Sequence, residues 1–301
     1  MDRFFKTCLL GGALIAAAPA AAQQAAPPSD QSEIVVTGTK DMERQVRDFV
    51  GALTAAPTHG QLSRFESKVC PAALGLSGSQ KRAVEDRMRR VAAAAGLPVG
   101  RPGCVVNILV FVTSDKRAFL ETLNRKYSKY FGELSNAAVH RLAHAPGGAA
   151  AWQLQGPPIS ASGVELGQTG DPGAEYYVNR TITASSHITP PVRPQFDGAA
   201  VVVETGALVG LTTTQLADYA AMRTFAKTDP ARLPAEGPPT ILKVLDAPIG
   251  TAVPPTLTEW DLGFLRALYA SSNKVYAASQ RSEMRERIAK DLQSRRDQPA
   301  E

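Results

Sequence analysis

Pro254-Pro255-Thr256-Leu257-Thr258-Glu259-Trp260-Asp261-Leu262-Gly263-Phe264-Leu265-Arg266-Ala267-Leu268-Tyr269 is the best-specified element of this chain. Thr258 reads as a helix N-cap. Asp261, three residues on, reads as its capping-box partner, so that each side chain closes a backbone N–H the first turn leaves open. Leu257, just before the cap, can staple onto Leu262. Leu262, Phe264, Leu265, Leu268 and Tyr269 are more apolar side chains than one solvated helix leaves in water. The helix is therefore expected deep in a core.

The chain around it has 301 residues, 44% of them hydrophobic, and a formal net charge of +5. Its start has the pattern of an export signal. Arg3 and Lys6 are followed by an apolar run from Cys8 to Ala18, then by Pro19 and the small residues Ala20-Ala21-Ala22, which places cleavage before Gln23. That run is too short for a resident membrane helix, and no other stretch approaches ~20 uninterrupted apolar residues. Roughly 280 residues then remain, enough for one large or two ordinary domains. Lys and Arg are scattered among Asp and Glu, with no basic stripe interleaved with aromatics, so nucleic acid is not an expected partner.

Export leaves two cysteines, Cys70 and Cys104, and an oxidising compartment makes their disulfide the expected state. Its loop of about thirty-five residues stabilises by roughly 3–4 kcal/mol on the chain-entropy account. The alternative, a catalytic thiol with a His partner, needs a free cysteine and a local signature.

Along the chain, Gln23 to Gln31 reads as a disordered leader. Asp41 is expected to cap a helix with Met42, Val46, Phe49, Val50 and Leu53 on one face. Leu62 to Cys70 reads as extended. Ser79 to Ala95 is a second helix with Ala83, Met88, Val91 and Ala95 inward, stopping at Gly96. Cys104 to Val112 is a near-continuous apolar strand of the kind covered on both faces. Asp115 starts a third helix through Leu120, Leu123 and Tyr127. This order implies an α/β layer unit ending near Ala145.

His140 and His144 lie four apart in a short helix starting at Ser135, a spacing at which two imidazoles can share a zinc ion. Arg141 stands where a zinc-dependent peptidase carries its water-activating glutamate, and its charge repels a metal. These histidines read as surface or capping residues, with a metal role as the alternative. Next, Ala149 to Leu154 forms a strand carrying Trp152, and Gln155 to Gly173 a long loop or hairpin arm. Glu175 to Thr183 is a strand, Ser185 to Gln195 a proline-laden connection, and Gly198 to Glu204 a buried strand. Thr212 or Thr213 caps a helix from Gln215 to Lys227, closed by Asp229-Pro230. Glu204 and Asp218 read as solvated or capping charges. There is no phosphate-binding glycine loop, no Gly-x-Ser-x-Gly elbow and no Cys-x-x-Cys pair. Met284, Ile288 and Leu292 place a last helix over Ser279 to Arg295, with a charged, solvated face.

Two resemblances accompany these readings. The order of strand Gly198–Glu204, helix, Pro239-Thr240-Ile241-Leu242, and then Leu257-Thr258-Glu259-Trp260-Asp261 running into Leu268-Tyr269 resembles the C-terminal half of a metzincin-type zinc peptidase. There a zinc-binding helix precedes a turn under the metal and a helix opening Leu-Thr-x-x-Asp. Gln215 to Phe225 departs from that pattern. It holds no histidine, offering at most Asp218 as a ligand, and Thr240-Ile241-Leu242 lacks the methionine of the family's turn. The resemblance therefore implies the scaffold without its chemistry, and no catalytic or metal residue is carried over. Cys70-Pro71 and the Thr258-Glu259-Trp260-Asp261-Leu262 helix are also similar to exported alphaproteobacterial proteins, which implies a lineage and no activity. The hexapeptide Glu33-Ile34-Val35-Val36-Thr37-Gly38 resembles the opening of TonB-dependent receptors. That likeness implies a peptide engaging energy-coupling machinery, whereas by its residues alone it is a short strand or exposed tail. The chain lacks the alternation of a barrel.

The expected fold is α+β. A signal peptide (1–22) and disordered leader (23–40) precede an N-terminal disulfide-stapled α/β layer unit (41–145). This packs on a metalloprotease-like α+β unit without the zinc motif (146–275), and a C-terminal helix and tail (276–301) follow. The expected role is that of a periplasmic or secreted, non-catalytic protein binding an envelope protein or peptide, without a cofactor and without an integral membrane span. Two alternatives stand beside it. One is a metal- or His-dependent hydrolase using His140, His144 or His187, and the other is an accessory of TonB-linked transport.

Overall fold

The structure is a computed structural model and describes residues 39–54, 60–171, 174–180, 189–248 and 250–296. The expected signal peptide, the segment Glu33 to Gly38, His187 and the end of the tail lie outside the described residues. In chain order the elements are α1 (Thr39–Leu53), β1 (Arg64–Phe65), β2 (Pro71–Leu74), α2 (Gly78–Ala94), β3 (Ile108–Thr113), α3 (Lys116–Tyr127), α4 (Asn136–His144) and β4 (Ala149–Gln155). They continue with β5 (Ile159–Ser160), β6 (Gly167–Thr169), β7 (Tyr176–Val178), β8 (Val192–Arg193), β9 (Gln195–Glu204), α5 (Thr213–Phe225), α6 (Glu259–Ala270) and α7 (Ala277–Arg296). No helix among the described residues is long and apolar enough to cross a membrane.

The fold is mixed α/β around a largely parallel sheet. β9 is its centre, parallel to β1 and β3, while β2 pairs in parallel with β3 and β4 lies antiparallel along the far side of β9. The two-residue period of a strand sends alternate side chains to opposite layers. Ile108 and Val110 of β3 and Ala199, Val201 and Val203 of β9 enter a core shared with α1, α2, α5, α6 and α7. Leu109 and Phe111, Ala200 and Val202, and Ala150 and Trp152 of β4 enter a smaller core under α3 and α4. Strands covered on both faces are apolar at every position, which is why Ala199 to Val203 carries no charge.

The boundary expected between 145 and 146 runs through this sheet. β9 pairs with β3 in parallel, and Gly38–Glu301 forms one compact unit. A strand apolar on both faces leaves a row of unpaired backbone groups unless a neighbour covers its edge, and β9 is that neighbour. The C-terminal helix belongs to the same body, since Met284 and Ile288 of α7 are buried against α1 and α6.

Several local expectations shift. Helix α1 begins at Thr39, so Asp41 sits within its first turn and pairs with Arg44 at 2.8 Å instead of capping it. Helix α2 is capped by Ser77 in a capping box with Gln80, and Val84 rather than Ala83 points inward. The run from Cys104 joins the sheet only at Ile108, leaving Val105 92% exposed. The cause is local. The Cys70–Cys104 disulfide holds residue 104 beside the end of its loop. Asn107 turns its amide to the backbone, accepting from Cys70 N at 2.7 Å and donating to Lys68 O at 3.1 Å. At the turn after β2, Gly75 has φ 81°, and a Cβ there would collide with the carbonyl oxygen of Val112.

The opening stretch folds as its residues dictate. Thr258 caps α6, and Asp261 completes the capping box. Asp261 is fully buried, accepting from Thr240 Oγ1 (2.5 Å), Ile241 N (2.9 Å), Thr258 N (3.0 Å) and Thr258 Oγ1 (2.8 Å). Burial pushes its carboxyl above the usual range, against the pull of these donors. One side chain thus joins the 3-10 turn at Ile241–Lys243 to the start of α6.

A candidate binding groove beside helix α5

Helix α5 starts at Thr212, whose Oγ1 accepts Gln215 N at 3.1 Å while the Gln215 side chain closes the cap from the other side. Most of α5 is buried, so its polar residues need partners. Asp218, 0% exposed, has them. Arg87 of α2 donates to it through Nε at 2.6 Å and Nη2 at 3.0 Å, and Thr256 Oγ1 and Leu257 N donate at 2.7 and 2.8 Å. The expectation of a solvated or capping Asp218 is corrected. A carboxylate in the core needs a paired cation and filled lone pairs, and here both are supplied by segments remote in sequence. Glu204 caps a helix, as one of the two readings expected, since its Oε1 accepts Lys116 N at 2.9 Å at the start of α3.

The next residue on the helix faces the other way. Tyr219, and Arg223 one turn on, line a groove of about 810 Å³. One wall is α5 and the segment from Lys227 to Arg232. The opposite wall is α4, through Ala138, Arg141, Leu142 and Ala145. Between them lies β4 from Ala149 to Gln155, with Asp246 at the end beside Gly147. Gln153 fastens β4 to α5, donating through Nε2 to Arg223 O at 2.8 Å and Ala226 O at 3.2 Å, carbonyls that the helix end leaves open.

Among the described residues β9 is the one neighbour of β4, so the edge of β4 that faces this groove is unpaired by any of them. Glu204 N donates to Gly148 O at 2.7 Å, and the register pairs Ala149 with Val203. Bonded and non-bonded pairs alternate along an antiparallel ladder, so residues 150, 152 and 154 hydrogen-bond to β9. Ala149, Ala151 and Gln153 turn their N–H and C=O outward.

The groove is rich in positive charge. Arg141, Arg223, Lys227 and Arg232 line it against Asp229 and Asp246, and none of the four cations forms an ion pair among the described residues. Asp229 is engaged as the cap of the turn Pro230–Arg232. Arg223 Nη1 donates to Tyr219 Oη at 3.1 Å, its guanidinium lies 5.7 Å from the Tyr219 ring centre, and its Nε is buried without a hydrogen-bond partner among the described residues. Burial pushes the Tyr219 hydroxyl above its ordinary value, with Arg223 opposing. It stays a neutral phenol that can accept the Arg223 bond.

The histidines of α4 stand elsewhere. His140 and His144 are exposed, their rings stacked 3.9 Å apart, and His144 Nδ1 lies 2.9 Å from His140 O. Glu121 is 4.0 Å from His144 Nε2. Neither histidine lines the groove. Among the described residues no three His, Cys, Asp or Glu side chains stand where they could share a metal ion. The groove residues Tyr219 and Arg223 were not singled out from sequence. A signal was present: Tyr219 and Arg223 stand at i, i+4, on one face of α5.

No protein-family model matches this chain, and no curated protein and no solved structure matches it.

Proposed function

We propose that this protein is an exported, non-catalytic binding protein that takes an extended segment of an envelope protein or peptide along the free edge of β4. The observation that carries the reading is the outward row of N–H and C=O groups at Ala149, Ala151 and Gln153, open to a groove with a helical wall on each side. An unpaired sheet edge binds polypeptide through main-chain hydrogen bonds, and flanking walls add side-chain contacts. The pattern of charged start and apolar run at Arg3 to Ala18, with the Cys70–Cys104 disulfide, supports an oxidising, exported location.

The likeness to a zinc peptidase supports the same groove. In metzincins the helix motif is His-Glu-x-x-His-x-x-Gly-x-x-His. Laid on Tyr219-Ala220-Ala221-Met222-Arg223-Thr224-Phe225-Ala226-Lys227-Thr228-Asp229, its three ligand places fall on Tyr219, Arg223 and Asp229. All three line the groove. Ala220 falls on the glutamate that activates water, and alanine can neither accept a proton nor hold a metal. The reading is a peptidase-like scaffold whose cleft binds and does not cut.

Amide hydrogen exchange tests it. A mixed pool of extended octapeptides, added at millimolar concentration to the mature chain, is expected to protect the amides of Ala149, Ala151 and Gln153 while leaving the peptides whole. Unchanged exchange at all three amides, or zinc-dependent cleavage of the pool, would overturn the proposal.

A further inference from the structure

We infer that the segment bound in this groove is acidic and that one of its side-chain carboxylates seats on Arg223. The inference rests on the groove reading above and names the chemistry of the occupant. Arg223 is held in place before any ligand arrives, with Nη1 bonded to Tyr219 Oη and the guanidinium set against the same ring. Its Nη2 hydrogen-bonds to nothing among the described residues, and no carboxylate among them forms an ion pair with Arg223, although the side chain lines the groove. The partner that fits an open guanidinium fork is a carboxylate. Asp229, in the same groove, already caps the following turn.

The distribution of charge selects among anionic occupants. Arg141 stands on the α4 wall, while Lys227 and Arg232 lie beyond Arg223 on the α5 side, all exposed and without ion pairs among the described residues. A single terminal carboxylate satisfies one of these. A strand with Asp or Glu at alternate positions presents carboxylates toward one wall at a repeat of about 6.6 Å, and its backbone meets the outward groups of Ala149, Ala151 and Gln153. The occupant is therefore an extended acidic stretch of a polypeptide.

Three octapeptides alternating Val or Thr with Asp, Asn or Lys provide the test, with the mature chain, at physiological ionic strength. Fluorescence polarisation is expected to show the Asp peptide binding about tenfold more tightly than the Asn peptide, about 1.4 kcal/mol, and the Lys peptide weakest. Arg223→Gln is expected to remove about tenfold from the Asp peptide and to leave the Asn peptide unchanged. Arg232→Gln, on the exposed rim, is expected to remove a smaller factor that vanishes at high salt. If Arg223→Gln does not fold, the Asp-to-Asn exchange on the peptide still decides, because it leaves the protein untouched. Equal binding of the Asp and Asn peptides, or equal loss of both in Arg223→Gln, overturns the inference. In that case protection of the Ala149, Ala151 and Gln153 amides keeps the groove reading standing. If none of the three peptides protects those amides, both fall.

Discussion

Asp218 and Arg223 lie a little over one turn apart on the same helix, and they meet opposite fates. Toward α2, Asp218 has both oxygens filled by Arg87, Thr256 and the Leu257 amide. Toward the groove, Arg223 has no ion-pair partner among the described residues. Strand β4 repeats the contrast in its backbone, with even residues bonded to β9 and odd residues open. Polar groups closed by the protein itself hold a fold together. Groups left open beside a cavity are what a partner can use.

The largest expected effect breaks the closed side. Arg87→Met leaves the fully buried Asp218 carboxylate without its cation and is expected to cost about 3–5 kcal/mol, read by urea unfolding. A cost under about 1 kcal/mol would mean the pair acts like a surface ion pair.

Proline placed on β4 sharpens the contrast next. Ala150→Pro deletes a ladder donor to β9 and is expected to cost about 1–3 kcal/mol for the carbonyl it leaves unsatisfied. Ala151→Pro deletes an outward N–H and is expected to cost far less, while weakening peptide capture. Equal thermal destabilisation by the two would refute the assignment of inward and outward residues.

A third test compares Asp218 with Asp261, a buried carboxyl whose partners are all neutral. Asp261→Ala strands these donors and is expected to cost about 1–3 kcal/mol. Asp261→Asn imitates the protonated acid and is expected to stay within about 1 kcal/mol of the parent. Because burial raises the folded pKa above the unfolded value, this group's contribution is full below the unfolded pKa, near ~3.9. It is lost as pH rises through the folded pKa. The Asn variant should therefore gain on the parent between acid and neutral pH in paired unfolding curves. A gain in the other direction would show that the four donors outweigh burial.

The smallest effect belongs to the open side. Arg223→Gln is expected to change stability by no more than about 0.5 kcal/mol, since the cation has no carboxylate partner among the described residues to lose. A drop of several kcal/mol in calorimetry would place Arg223 among the structural groups.

Capping and periodicity were legible because their causes lie within one helical turn. Thr212 with Gln215 and Thr258 with Asp261 are readable from neighbouring letters, and so are Met284, Ile288 and Leu292 on one face of α7. The Cys70–Cys104 bond was legible because the expected loss of Cys8 with an export signal leaves one pairing. The late start of β3 was not, because Val105 and Val106 look like strand until the disulfide and Asn107 claim the segment. Nor was the single sheet. Apolarity on both faces of Gly198 to Glu204 says that the strand is buried, and says nothing about which strands flank it.

The sequence by itself thus determined where the helices lie, the cap of α6 and the apolar strand segments, because each is decided by residues close along the chain. Tertiary structure decided which polar side of α5 is closed and which is open. Arg87 reaches Asp218 across 131 residues, and β4 pairs with β9 on one edge and with no described strand on the other. Burial and pairing of charge depend on what folding brings together in space, and the local sequence does not contain that information.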